Sequence, residues 1–106
     1  MKDNHYETIE EFLEQYNSGM RDPANNKWYG LEFRYKRSFY RLDVSGKKYS
    51  LIKLIIDDGK EYPDIVRYET IQDYESMDSL LSATAIEGVP FAKIIISKET
   101  ELLGQD

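Results

Sequence analysis

The first clear pattern along the chain is a helical one near its start. Four apolar residues have the i, i+3, i+4, i+7 spacing of one buried helical face: Ile9, Phe12, Leu13 and Tyr16. Thr8 and Glu11 open this run with the spacing of a capping box, in which a hydroxyl and a carboxylate satisfy free backbone amides. We therefore predict an amphipathic helix over residues 9–17, followed by a turn at residues 22–26.

From residue 29 the apolar positions recur with a period of two, which is typical of strands. Two half-buried strands are predicted, with these residues facing the core: Tyr29, Leu31, Phe33 and Tyr35, then Tyr40, Leu42 and Val44. A third run, residues 49–56, is apolar on both faces, which predicts a central strand that is covered at least in part on both sides. The Asp58-Gly59 pair after it favours a hairpin.

A fourth strand is predicted from Ile65 to Tyr74. Alternation divides its residues between two faces, with Val66, Tyr68 and Thr70 on one and Arg67, Glu69, Ile71 and Asp73 on the other. Ser76 is the expected N-cap of a second helix, which Gly88 closes. The apolar stripe of this helix is Met77, Leu80, Leu81 and either Thr84 or Ala85.

The C-terminal segment has two interpretations. Residues 91–97 have strong β composition, which predicts a last strand; a short helical turn after Pro90 is the alternative. The order α-β-β-β-β-α-β predicts one α+β domain over residues 1–106, with residues 1–7 as a flexible N-terminus. Its sheet is an antiparallel four- to five-stranded β-meander, with an N-terminal helix and a second helix after the fourth strand.

Composition narrows the classes of protein that fit. The chain has 106 residues, 41% of them hydrophobic, which suits one folded domain and excludes a disordered chain. It has no cysteine, which excludes disulfides and thiol chemistry. The first residues lack the basic and apolar regions typical of a signal peptide, and no apolar run reaches about 18 residues, so we expect a cytoplasmic protein with no membrane partner.

Catalysis is not expected. The only histidine, His5, lies close to the N-terminus, where we expect a mobile side chain that cannot act as a positioned base. The Asp57-Asp58-Gly59 segment does not have the ligand spacing of an EF-hand loop, so no metal and no cofactor are predicted. A carboxylate-based enzyme of unrecognised type is the third-ranked interpretation of the chain.

Charge is unevenly distributed. Residues 1–19 carry a net charge of −4, residues 20–60 carry +5 and residues 61–106 carry −7, for a total of −6. The favoured interpretation is that these segments neutralise each other in the fold.

The alternative function is nucleic-acid binding by a basic, aromatic hairpin over residues 33–53, with Phe39 among its outward-facing rings. The residues predicted to contact the phosphates are Arg34, Lys36, Arg37, Arg41, Lys47 and Lys48.

The acidic segment from residue 61 to residue 87 supports the first-ranked function. Its acids, together with outward-facing tyrosines such as Tyr62, Tyr68 or Tyr74, could dock onto a basic groove of a partner protein. We predict a non-catalytic interaction module with these contact residues: Glu69, Asp73, Tyr74, Glu75 and Asp78. A homodimer formed through an exposed sheet edge is a further alternative. Small acidic inhibitors of phages and mobile elements, such as anti-CRISPR and anti-restriction proteins, share this size and charge, although no motif matches them; the simplest explanation of the acids is solubility.

Overall fold

The structure, a computed structural model, describes residues 5–19 and 28–105. The elements in chain order are α1 (Ile9–Gly19), β1 (Trp28–Tyr35), β2 (Ser38–Ser45), β3 (Lys48–Ile55), β4 (Arg67–Tyr74), α2 (Met77–Ser82), α3 (Phe91–Ile95) and β5 (Thr100–Gln105). The turn predicted at residues 22–26 and the first four residues of the predicted flexible N-terminus lie outside the described residues.

The five strands form one sheet in the order β4-β3-β2-β1-β5, and every neighbouring pair is antiparallel. Strands β1 to β4 follow each other as a meander, and β5 then returns to pair with β1. This arrangement confirms the α+β class and the antiparallel meander. It leaves β4 and β5 as the two edges of the sheet.

One face of the sheet holds the hydrophobic core. Alternate residues of the central strands point into it and are at most 2% exposed: Leu31, Phe33, Leu42, Val44 and Leu51. The ring of Phe91 from α3 packs edge-on against Phe12 of α1 at 6.2 Å and against Phe33 at 6.0 Å between centroids. Helices α1 and α3 therefore cover the same side of the sheet.

The predicted first helix is confirmed, with its end two residues later than expected. The backbone N–H of Glu11 donates to the hydroxyl of Thr8 at 3.1 Å, which is the N-terminal bond that the capping box requires. Apolar residues at the predicted positions face the core, where Phe12 and Tyr16 are buried.

The prediction of a strand over residues 91–97 is wrong, because Phe91 to Ile95 form α3. Phe91, Ile94 and Ile95 have helical i, i+3, i+4 spacing and are all buried, and the N–H of Ile94 donates to the carbonyl of Pro90 at 3.1 Å. The β composition of this segment reflects burial, which a helix provides equally well. The last strand is β5 at Thr100–Gln105, which was not predicted.

Two other boundaries differ from the predictions. Helix α2 ends at Ser82 instead of reaching Gly88, and Gly88 lies in a tight turn with Glu87 in which both residues have positive φ, 72° and 53°. β4 begins at Arg67, so the connection from β3 spans residues 56–66 and is longer than a two-residue hairpin. Gly59 still takes the positive φ (79°) that the Asp-Gly pair predicts.

Candidate interaction surface

Strand β4 is the most exposed strand of the sheet. Six of its eight residues are exposed. Tyr68 is 59% exposed, and Val66, just before the strand, is 54% exposed. Only one side of β4 is hydrogen-bonded to a neighbouring strand among the described residues. The other side therefore presents unpaired backbone N–H and C=O groups, as edge strands do.

A β-bulge in β4 changes which side chains share a face. The pairing with β3 shifts by one residue between Leu51 and Ile52, which leaves Ile71 as the extra residue on β4, packed against the core. Asp73 consequently pairs with Ser50 and projects from the face that carries Tyr68. The predicted placement of Asp73 on the opposite face was wrong, since a bulge reverses simple alternation.

Three of the five predicted contact residues are engaged within the domain. Glu69 forms an ion pair with Arg67 at 2.9 Å. Asp73 accepts a hydrogen bond from the Ser50 hydroxyl at 2.6 Å and lies 3.4 Å from the Lys48 ammonium. The Ser50 bond, followed by Lys48, holds the pKa of Asp73 below its usual value. Tyr74 is half-buried against the core, and this burial raises the pKa of its hydroxyl.

The other two predicted residues, Glu75 and Asp78, remain free of such contacts. Both are exposed at the junction of β4 and α2, and neither forms an ion pair with any residue that the structure describes. Ser76 between them caps α2 by accepting a hydrogen bond from the N–H of Ser79 at 3.1 Å. Asp78 lies in the first helical turn, where the helix dipole favours negative charge.

This junction also contains basic residues. A shallow depression of about 660 Å³ lies beside it, lined by Lys47, Lys48, Asp73, Tyr74 and Glu75. The turn between β2 and β3 therefore brings two lysines next to the acids. Residues of the acidic and basic segments therefore lie side by side around this depression.

The basic residues predicted for nucleic-acid binding are mostly neutralised within the domain. Four of the six form ion pairs, at N–O distances of 3.0–3.6 Å: Arg34 with Glu101, Lys36 with Glu87, Arg41 with Glu32 and Asp43, and Lys48 with Asp73. Glu87 is also the main cause that raises the pKa of Lys36. These contacts agree with the interpretation that the charged segments neutralise each other.

Arg37 and Lys47 form no ion pair with any described residue. They lie in the turns at opposite ends of β2, an eight-residue strand, so roughly 25 Å separates them. The two uncompensated cations of the predicted nucleic-acid site therefore do not form one patch.

The face of the sheet opposite the helices is crossed by the connection between β3 and β4. The ring of Tyr62 stacks on Phe39 at 5.5 Å between centroids, with only 9° between their planes. The Tyr62 hydroxyl donates to one carboxylate oxygen of Glu32, and the other oxygen accepts from Arg41 at 3.0 Å. Phe39, predicted to face outward, is thus covered on one side by an internal partner.

A cleft of about 720 Å³ remains between this connection and the sheet. Its apolar lining includes Phe39, Leu54, Tyr62 and Leu103. Bases such as Arg37 and acids such as Asp58 line it together, so its charge selects no class of ligand.

His5, predicted to be mobile, is buried in the structure. Its side chain is 9% exposed, and Nδ1 donates to the carbonyl oxygen of Tyr6 at 2.9 Å. Across residues 5–19 and 28–105, no three acidic or histidine side chains gather as metal ligands would. No helix among those residues has the length and apolar character to span a membrane.

The fold and this surface define a small α+β domain built on a five-stranded antiparallel sheet. Comparisons with protein-family models, with curated proteins and with solved structures found no match to the chain. The assignment of a function therefore depends on the geometry alone. From the sequence, Tyr68 is only one of several outward-facing tyrosines and Val66 is not a candidate contact residue, because exposure at a sheet edge depends on strand order.

Proposed function

We propose that the protein is a non-catalytic interaction module, which binds a partner protein through β4 and the start of α2. One observation carries the proposal: an open sheet edge with an exposed tyrosine, Tyr68, leads to Glu75 and Asp78, two exposed acids that form no ion pair with a described residue. An edge strand can accept an additional strand, and tyrosine provides a large contact area at low entropic cost.

The acids differ in their expected contributions to binding. Glu75 and Asp78 form no ion pair with any described residue, although Lys47 and Lys48 line the same depression as Glu75, so both carboxylates are available to a basic surface of a partner. Glu69 and Asp73 already contact Arg67, Ser50 or Lys48, and they must exchange those contacts on binding. We therefore expect Glu75 and Asp78 to contribute most of the charge effect.

We also propose a class of partner for this surface. A basic surface that such an edge would fit is the nucleic-acid channel of an enzyme, and an acidic protein in that channel would act as a competitive inhibitor. Acidic inhibitors of phages and mobile elements are the functional class to which this form corresponds.

The test is a quantitative pull-down from a lysate of the source organism with the tagged full chain. We expect a protein partner whose recovery survives nuclease treatment and falls at least about tenfold with the E75K/D78K variant, which corresponds to about 1.4 kcal/mol. The control is E10K/E14K, which makes the same change of charge on the exposed face of α1.

Three results would contradict the proposal. Equal recovery by the wild type and by E75K/D78K would show that the acids do not take part. An equal loss with E10K/E14K would reduce the effect to net charge. Recovery that nuclease abolishes would favour nucleic-acid binding.

A further inference from the structure

The N-terminal half of β4 has a pattern of charge that is complementary to itself. Arg67 and Glu69 project from one face with side chains that are 63% and 47% exposed, and they form an ion pair with each other. Val66, Tyr68 and Thr70 alternate with them, and all three are exposed. This half-strand precedes the bulge at Ile71, so its alternation is regular.

We propose that this half-strand pairs with the same half-strand of a second copy of the chain, antiparallel and about a two-fold axis at Tyr68. In this register, Tyr68 lies opposite Tyr68 of the second copy, and Val66 lies opposite Thr70. Arg67 lies opposite Glu69 of the second copy, and Glu69 lies opposite Arg67. The two sheets then continue into one sheet of ten strands.

The charges select this register. Directly opposed residues of antiparallel strands have close side chains, so opposite charges stabilise the pair and like charges destabilise it. With the axis at Tyr68, the four charges alternate in sign around the interface. Moving the axis by one residue in either direction places Arg67 opposite Arg67 or Glu69 opposite Glu69.

The exposed apolar groups support the same register. Tyr68 and Val66 are the large hydrophobic residues that the described structure leaves most exposed, and the pairing brings them together on one face. The bulge at Ile71 bends the strand beyond this segment, which limits the contact to about five residues from each copy. Such an interface is smaller than a standard one, so we expect a weak dimer with a Kd in the range of about 10 μM to 1 mM.

This inference rests on the proposed function only in taking β4 as an interaction edge, and it names the second copy as the occupant of the half before the bulge. Glu75 and Asp78 lie beyond the bulge and outside the self-pairing register. Both proposals use Tyr68, so a partner that covers this residue would compete with the dimer. Variants of Glu75 and Asp78 test only the partner and variants of Arg67 and Glu69 test only the dimer, so the two failures are distinguishable.

Sedimentation equilibrium of the full chain from 10 μM to 1 mM tests the inference. We expect a monomer–dimer equilibrium for the wild type. R67E and E69K should each weaken it at least about tenfold, because the two-fold axis turns two opposite-charge contacts into two like-charge contacts. E75K, with the same change of charge as E69K, should leave the dimer unchanged.

Two complementation experiments distinguish a direct contact from a general effect of charge. An equimolar mixture of R67E and E69K should form a heterodimer, because the two acids of one chain then face the two bases of the other. The double variant R67E/E69K should form a homodimer again. Circular dichroism spectra equal to that of the wild type would show that the single variants are folded.

The inference is overturned if the wild type remains a monomer at 1 mM. A dimer that is insensitive to R67E and E69K, or a mixture that remains monomeric, would overturn it as well. Partner recovery that depends on Glu75 and Asp78 would stand in any of these cases. Conversely, a dimer with the expected complementation would stand even if no other protein were recovered.

Discussion

A single methyl group added at Gly30 is expected to disturb the face of the sheet opposite the helices. A Cβ added there would lie 2.2 Å from Nη2 and 2.8 Å from Cζ of Arg41. The guanidinium cannot remain at those distances. It is held there by Glu32 at 3.0 Å and Asp43 at 3.6 Å, with the Arg41 side chain only 15% exposed.

The expected loss of stability can be estimated from the contacts with Glu32 and Asp43 that the Arg41 guanidinium would lose. A hydrogen bond to a charged group contributes about 1.5–3 kcal/mol when it is largely shielded from water. Alanine in a strand recovers about 0.5–1 kcal/mol relative to glycine, because the unfolded chain loses less entropy. We therefore expect G30A to lower the free energy of unfolding by about 1–2 kcal/mol.

Urea denaturation followed by circular dichroism measures this loss. The matched control is G104A, since a Cβ at Gly104 meets no atom within 4 Å, and we expect no loss there. In an R41A background the space beside Gly30 is free, so G30A should become neutral or stabilising. An equal cost of G30A in both backgrounds would refute the proposed contact with Arg41.

Three further predictions concern stability. F91A should lower the free energy of unfolding by about 3–5 kcal/mol, because it empties a site that is 1% exposed, whereas V66A, at a site 54% exposed, should change it by less than about 0.5 kcal/mol; equal urea midpoints would contradict this. S76A should cost about 1 kcal/mol through loss of the N-cap of α2, and an unchanged midpoint would show that the cap is dispensable. The pKa of Asp73 lies below 3.8 in the folded state, so its stabilising effect is present above pH 3.8 and is lost as the pH falls through the folded pKa. D73N should therefore flatten the acid side of the stability–pH curve, and a wild-type slope in D73N would contradict the role of its bond with Ser50.

The helix α1 and the strands β1 and β2 could be predicted because each has one buried face with a clear period. The C-terminal segment could not, since Phe91, Ile94 and Ile95 satisfy both a buried strand and a short buried helix. The packing around these three residues determines whether the segment forms a strand or a helix. The side chain of Phe91 fits between α1 and β1, which only the folded protein reveals.

The candidate surface was predictable in its residue types but not in its contacts. The bulge at Ile71 reverses the alternation on β4, so the face of Asp73 could not be deduced from parity. The partner of Arg34 is Glu101, 67 residues away, and β5, which carries Glu101, was not predicted. Ion pairs of such sequence separation depend on strand order, which charge counts do not contain.

Strand order also explains why uneven charge along the chain does not produce two opposed surfaces. The basic strands occupy the middle of the sheet, and acidic residues on its two edges pair with them, Glu101 with Arg34 and Asp73 with Lys48. Each ion pair cancels one positive and one negative charge at the surface. Between β4 and α2, the acids that form no ion pair with a described residue are Glu75 and Asp78, and the proposed function depends on these two residues and not on the net charge of −6.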